Sequence, residues 1–453
     1  MKIGTAKAMD DRVMQDSVVQ WIKSMPEGWQ LRRLGDISLK IGSGVTPKGG
    51  ATVYLERGIP LFRSQNIHFY GLALDDVAFI SEETHQEMKG SHVKNNDILL
   101  NVTGASIGRC FYFAKECGFK EANVNQHVCI IRPSRQILYK FLHYFMMSNI
   151  GQSQIFSSFR GSSREGLNFK DLKLFKLGLP SRKEQQAIAH YLDQQCGKLD
   201  AVITIKQQQI KTLDALRQSV IYQAVTKGLD ATVPLVGSGV EWLGDIPLGW
   251  RIERLKDIAN INENTLDAKT PDDYLLQYIE ISNVNSQGIV SDQAIEEIEF
   301  SAAPSRAKRR VFPGDTIISS VRPNLQAIAY IERDESNLVC STGFYVVNTK
   351  FTHLLDNKFA YYFLLSVNSK QYFESVAKGV GYPSVDDRDF KSLHTMLPPV
   401  AEQQAIANHL DQETQRLDTL KANLNQQIST LQAYKKSLIY ECVTGKKRLA
   451  GYA

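Results

Sequence analysis

Arginine, asparagine and glutamine side chains can make the paired hydrogen bonds that read base edges. Lysine, serine, threonine and free backbone N–H groups can hold phosphates. The 453-residue sequence sets such residues among glycines in two clusters. The first comprises Gly42–Lys48, Arg63–Asn66, Thr103–Arg109 and Arg160–Arg164. The second comprises Arg322–Asn324, Ser341–Gly343 and Lys378–Tyr382. The candidate nucleic-acid contacts are Lys48, Arg63, Gln65, Asn66, Thr103, Arg109, Arg160 and Arg164 in the first cluster. In the second they are Asn283, Arg306, Arg322, Asn324, Lys378 and Tyr382. Each loop alone is an ordinary turn sequence; it is their recurrence in both clusters that favours nucleic acid.

Groups for catalysis are not legible. The sequence has no G-x-x-x-x-G-K-[ST] phosphate loop and no N-P-P-[YF]. Asp171-Leu172-Lys173 and Asp389-Phe390-Lys391 recur without an upstream Pro-Asp partner, and read as fold elements rather than a nuclease site. Six cysteines are scattered without a C-x-x-C, and nine histidines form no H-x-x-x-H pair. Free thiols in a cytoplasmic protein are expected, and no metal site. No run of 18 apolar residues could span a membrane. Lys+Arg against Asp+Glu is 23 to 16 over residues 1–180 but 16 to 23 over residues 228–397. A basic first segment suits DNA. In the second, contact must come from local clusters such as Arg306, Lys308, Arg309 and Arg310.

The elements that position these loops follow from an internal duplication. Residues 179–226 and 397–444 match without a gap, 24 of 48 positions being identical, so the architecture is that of a repeat. A second block, residues 17–37, recurs at 238–258. Each long repeat starts after proline and runs more than 40 residues without another, closing on V-T-K-G or V-T-G-K, which brackets a helix. A seam of period 3.5 runs down each. In the first it contains Leu192, Leu199, Ile203, Ile210, Leu213 and Val220, with Cys196, Lys206, Arg217 and Ala224 between them. In the second it contains Leu410, Leu417, Leu424, Ile428, Leu431 and Leu438, with Thr414, Lys421, Lys435 and Cys442. This pattern suits a two-helix coiled coil. The alternative is that each helix packs only on its own globular domain. Arg217 and Lys435 occupy the same seam position, where they either snorkel or pair with carboxylates to set the register.

Between the repeats, short β-like runs at residues 98–102, 128–131, 316–318 and 344–347 alternate with helical stretches near 138–150 and 357–376. The expected fold is α+β. Two globular α/β-type domains are separated by two long helices that pair as an antiparallel coiled coil with a pseudo-twofold repeat. The expected boundaries are 1–178 for the first globular domain, 179–228 for the first helix, 229–396 for the second domain, and 397–453 for the second helix and tail.

W-x₃-[MI]-P-x-G-W followed by R-L-x-D-I occurs twice. So does D-[LF]-K…L-P…E-Q-Q-A-I-A-x-x-L-D…L-D…S-[VL]-I-Y…V-T. Together they resemble the specificity subunit of type I restriction–modification systems over almost the whole chain. The resemblance implies two target recognition domains, each binding one half of a bipartite, asymmetric site on double-stranded DNA. The helices would set the gap and dock two methyltransferase subunits, which two restriction (translocating nuclease) subunits can join. It implies no catalysis and no cofactor in this chain; S-adenosylmethionine, ATP and Mg²⁺ belong to the partners. The competing readings are a coiled-coil adaptor that never touches DNA, and a divergent nuclease carried by the D-x-K repeats.

Overall fold

The computed structural model describes residues 14–19, 22–159, 166–285, 288, 290, 295–334 and 336–449. The chain forms two compact units, one from residues 1–206 and 426–453, the other from 207–425. In the first unit, a four-stranded antiparallel sheet has the order Cys110–Tyr112, Ile98–Asn101, Val128–Pro133, Ser38–Ser43. A second sheet has the order Ala78–Ile80, Ile59–Phe62, Ala122–Val124, His92–Val93, and its two central strands are parallel. The second unit repeats both. One sheet runs Ile328–Tyr330, Thr316–Ser319, Phe344–Thr349, Ala259–Ile261. The other runs Glu296–Glu299, Leu275–Ile279, Leu338–Ser341, Ala307–Arg310, again with a parallel central pair. The duplication therefore extends through the segments where the two halves barely match in sequence.

Two repeat-related carboxylates show how that is possible. Asp97 caps the turn before strand Ile98–Asn101, accepting from Lys94 N at 2.7 Å, and is clamped by Arg132 at 2.7–2.8 Å. Asp315 caps the equivalent turn, accepting from Phe312 N at 2.9 Å, but its partner is Asn348, also at 2.9 Å. The turn is kept while its partner changes. The D-x-K triplets lie in short helices, Phe169–Lys173 and Asp387–Lys391, whose Leu172 and Phe390 are buried in the cores.

The long helices span Arg182–Lys227 and Val400–Val443. At 1.5 Å per residue they are roughly 69 and 66 Å long. The E-Q-Q motif fastens each helix to the domain before it. Gln185, 1% exposed, accepts from Leu138 N at 2.7 Å and donates to Gln136 O and Pro180 O at 3.0 Å. Gln403 does the same with Asp356 N, Leu354 O and Pro398 O, each at 2.8 Å. The preceding glutamates, Glu184 and Glu402, accept from the indoles of Trp29 and Trp250 at 3.1 and 3.2 Å. Two turns on, Asp193 takes the Tyr144 hydroxyl at 2.8 Å and the Lys140 ammonium at 2.6 Å. Asp411 takes Tyr362 at 2.6 Å and Lys358 at 3.5 Å.

The opposite end of each helix enters the other core. Leu438, Ile439, Cys442 and Val443 of the second helix pack with Ile188, Leu192 and Cys196 in the first unit. Ile221, Ala224 and Val225 of the first helix pack with Ile406 and Leu410 in the second. Each long helix therefore pairs with the other and also docks on a globular domain; sequence reasoning had opposed those two arrangements. No seam residue is exposed. Leu192, Cys196, Ile203, Ala224, Leu410, Thr414, Leu417, Ile428, Leu438 and Cys442 are buried, and the rest are half-buried. A narrow stripe is enough because each shielded leucine contributes about 1.5–3 kcal/mol.

Register is set by charge, in the antiparallel sense. In the first unit Lys435 reaches Asp200 at 2.7 Å, and Lys206 donates to Gln427. In the second, Arg217 lies 3.9 Å from Asp418 and Lys421 2.7 Å from Asp214. The Arg217–Asp418 and Lys435–Asp200 pairs are repeat equivalents. The cations are half-buried, so their attraction to the carboxylates is offset by desolvation, and the pairs select register more than they add strength.

One core residue makes the first unit sensitive to acid. His143 is buried among Phe111, Tyr112 and Tyr144, and its Nδ1 has no hydrogen-bond partner among the described residues. Burial first, and then Lys435 and Lys140, push its pKa down to about 3 from the ordinary 6.5. The folded state thus holds it neutral, while the unfolded chain protonates it below pH 6.5. Stability should be fully present above that pH and fall as pH drops toward 3, at up to about 1.4 kcal/mol per pH unit. The second unit has Tyr361 at the equivalent position. His143→Tyr should flatten this part of the profile in urea melts between pH 7 and 4; an unchanged slope would exclude His143 as its source.

Candidate nucleic-acid interface

In the first unit three loops converge at one edge. Gly44 presses on strand Ala122–Val124 so closely that a Cβ there would lie 1.8 Å from Val124 O, which is why the loop to Lys48 opens with glycine. Strand Ile98–Asn101 delivers the turn Gly104–Ser106. Buried Asn101 donates to Ser64 O at 2.7 Å and Ser106 Oγ at 3.1 Å, tying that turn to Ser64–Asn66. Thr103 meets His127 at 2.7 Å, His127 meets Gln126 at 3.1 Å, and Thr46 donates to Gln126. This polar chain links the Thr103 turn to the loop of Thr46, and Asn101 ties in the third loop at Ser64.

The candidates fare differently. Lys48 is exposed; Thr103 and Arg109 are half-buried at this edge. Arg63 donates to Asp76 O and Oδ1 at 3.0 and 3.1 Å, and Gln65 also donates to Asp76. Asn66 is 1% exposed, with its amide spent on Arg63 N, Ala73 O and Asp76 O. It shapes the turn and leaves nothing for a base edge. Arg160 and Arg164 lie outside the described residues, as do Gln20 and Trp21 of the opening repeat block.

The second unit assembles the equivalent loops with other residues. Ser320 N and Oγ both donate to Gly343 O, at 2.8 and 2.9 Å, and Thr342 N donates to Arg306 O at 2.8 Å. The bridge Thr103–Gly166 of the first unit recurs as Val321–Ser384. Arg306 pairs with Glu280 at 2.8 Å, and this hydrogen bond holds its pKa above the ordinary value. Lys378 pairs with Asp386 at 2.6 Å and Asp389 at 3.3 Å, raising its pKa in the same way. Arg322 lies over the Tyr382 ring at 4.2 Å. Asn324 sits in the turn Pro323–Leu325, its side chain outside the described set. Asn283 is buried, its Oδ1 accepting from Glu280 N; it closes a turn just as Asn66 does.

The basic run 306–310 is not one patch. In strand Ala307–Arg310, Lys308 covers Phe300 at 4.2 Å and Arg310 lies over Phe312, whereas half-buried Arg309 turns to the Tyr345 ring. Alternation along a strand sends neighbours to opposite faces. The sequence reading places Thr46 in the loop Gly42–Lys48 without making it a candidate, and passes over Gln126, His127 and Ser320. The only signal for two of these was the polar triplet Asn125-Gln126-His127 between two β-like runs.

Residues 26–215 and 247–430 match the model of the type I restriction modification DNA specificity domain. The chain belongs to this family. Among its curated relatives, the MjaVIII specificity subunit of Methanocaldococcus jannaschii is 22% identical, over 94% of each chain. The EcoKI specificity subunit of Escherichia coli K12 is 21% identical, over 93% of this chain and 90% of that one. A chain from a solved type I R-M system, studied for its complex assembly and conformational transition, superposes with a TM-score of 0.69 at 17% identity, covering 93% of this chain and 99% of that one. The HsdS subunit of Thermoanaerobacter tengcongensis superposes with a TM-score of 0.50, covering 93% and 98%. The chain is thus a type I specificity subunit in fold and family. Among the described residues, no helix is long and apolar enough to cross a membrane.

Proposed function

We propose that this subunit reads a bipartite, asymmetric DNA site, with the globular segments 1–178 and 229–396 as target recognition domains, one for each half. It carries no catalytic group of its own; methyl transfer and restriction belong to the subunits it docks. The observation that supports this best is the pair of matching loop clusters, built on one topology but lined by different residues. Thr46, Thr103, Gln126 and His127 stand in the first, and Ser320, Arg322, Thr342 and Tyr382 in the second. One scaffold with two surfaces suits two different half-sites. Of the candidate contacts, Lys48, Thr103, Arg109, Arg306, Arg322, Lys378 and Tyr382 remain proposed; Arg63 and Gln65 can join by exchanging Asp76 for DNA. The long helices would set the gap between half-sites and dock two methyltransferase subunits.

A domain exchange tests this. Replacing residues 17–178 with the matching segment of a relative should change one half of the methylated motif and leave the other half intact. The readout is the sequence context of methylated adenines in a host carrying the variant and its methyltransferase. A change in both halves, or in neither, would sink the modular reading.

A further inference from the structure

The loop Lys378–Ser384 in the second unit holds an apolar tip out in solvent. Val380 is fully exposed and Tyr382 is 71% exposed. Single exposed apolar residues are common, but this tip is fixed from several sides. Its base is closed by Lys378 N to Ser384 O and Ser384 N to Lys378 O, both 2.9 Å. Arg322 N grips Pro383 O at 2.7 Å, and the Arg322 guanidinium lies over Tyr382. Lys378 anchors the loop to Asp386. Gly379 takes φ +109°, and Arg322 itself sits at φ 50°, a conformation that arginine rarely adopts. Such backbone strain persists where surrounding structure enforces it, often at binding sites.

A stiff hairpin that presents a valine beside an arginine–tyrosine stack has the form of a wedge for a DNA base step. Apolar side chains unstack such steps, while nearby cations hold the backbone. We propose that Val380, supported by Tyr382, enters and partly unstacks one base step of the second half-site. This rests on the DNA-reading function above. It also predicts asymmetry, because the equivalent positions in the first domain are Ser162 and Arg164, both polar.

The test uses the full chain with its methyltransferase subunits, the methyl donor withheld. The probes are duplexes of the mapped motif in which 2-aminopurine replaces one adenine at a time, excluding the adenines that are methylated. Wild type should raise fluorescence at one step in the second half-site and at none in the first. Val380→Ser, which installs the first domain's residue at a fully exposed position, should abolish that rise while lowering affinity by about tenfold or less. Wild-type binding without a local rise, or a rise that survives in Val380→Ser, would overturn the wedge and leave the DNA reading standing. A variant that fails to assemble with methyltransferase in the absence of DNA would mark the tip as a protein contact instead. If wild type did not prefer the motif over a scrambled duplex, the DNA reading itself would fall.

Discussion

Adding four residues to both long helices, between Gln207 and Gln209 and between Leu424 and Gln427, is expected to lengthen the unread gap of the methylated motif by nearly two base pairs. Four helical residues add about 6 Å, against roughly 3.4 Å per base pair. The site is chosen because the register-setting pairs fall on either side of it. Asp200–Lys435 belongs to the first unit, and Asp214–Lys421 and Arg217–Asp418 to the second. Matched insertions leave all three pairs in place. An insertion in the first helix alone shifts one strand of the seam and should cost most of the activity, because buried and half-buried positions then face the wrong partners. The measurement is the methylated motif in vivo for the single and double variants. A well-folded, active double variant with an unchanged gap would show that the helices are not the ruler.

Gln185→Ala should lower the unfolding temperature of the first unit by about 2–12 °C and leave the second near its wild-type value. The substitution removes three hydrogen bonds from a buried side chain and strands the Leu138 N–H and the carbonyls of Gln136 and Pro180. Leaving such groups unsatisfied costs about 1–3 kcal/mol, and units of this size shift by about 2–4 °C per kcal/mol. Gln403→Ala should do the same to the second unit, through Asp356, Leu354 and Pro398. Scanning calorimetry of both variants decides the matter. Equal, unit-independent losses, or no loss, would mean that this glutamine does not fasten helix to domain. The result would also give the E-Q-Q motif a physical role: Glu184 meets an indole, Gln185 clamps a loop, and both recur 218 residues later.

The sequence alone determined the long helices, their 3.5-residue seam and their kinship. Helical order is local and periodic, so shielded positions such as Leu192, Ile203, Leu417 and Leu438 announce themselves by spacing. The strands at Ile98–Asn101 and Thr316–Ser319 were legible for the same reason, as apolar runs bounded by turns. Tertiary structure decided the rest. Asn66 and Asn283 have the right chemistry for bases, but long-range folding buries them under their own turns. Arg306 to Arg310 form one cluster in sequence, yet strand alternation and packing against Phe300, Phe312 and Tyr345 scatter them. Gln126 and His127 join Thr46 and Thr103 only because non-adjacent strands bring three loops to one edge. Side-chain fate in a loop depends on partners far away along the chain, and no local spacing records them.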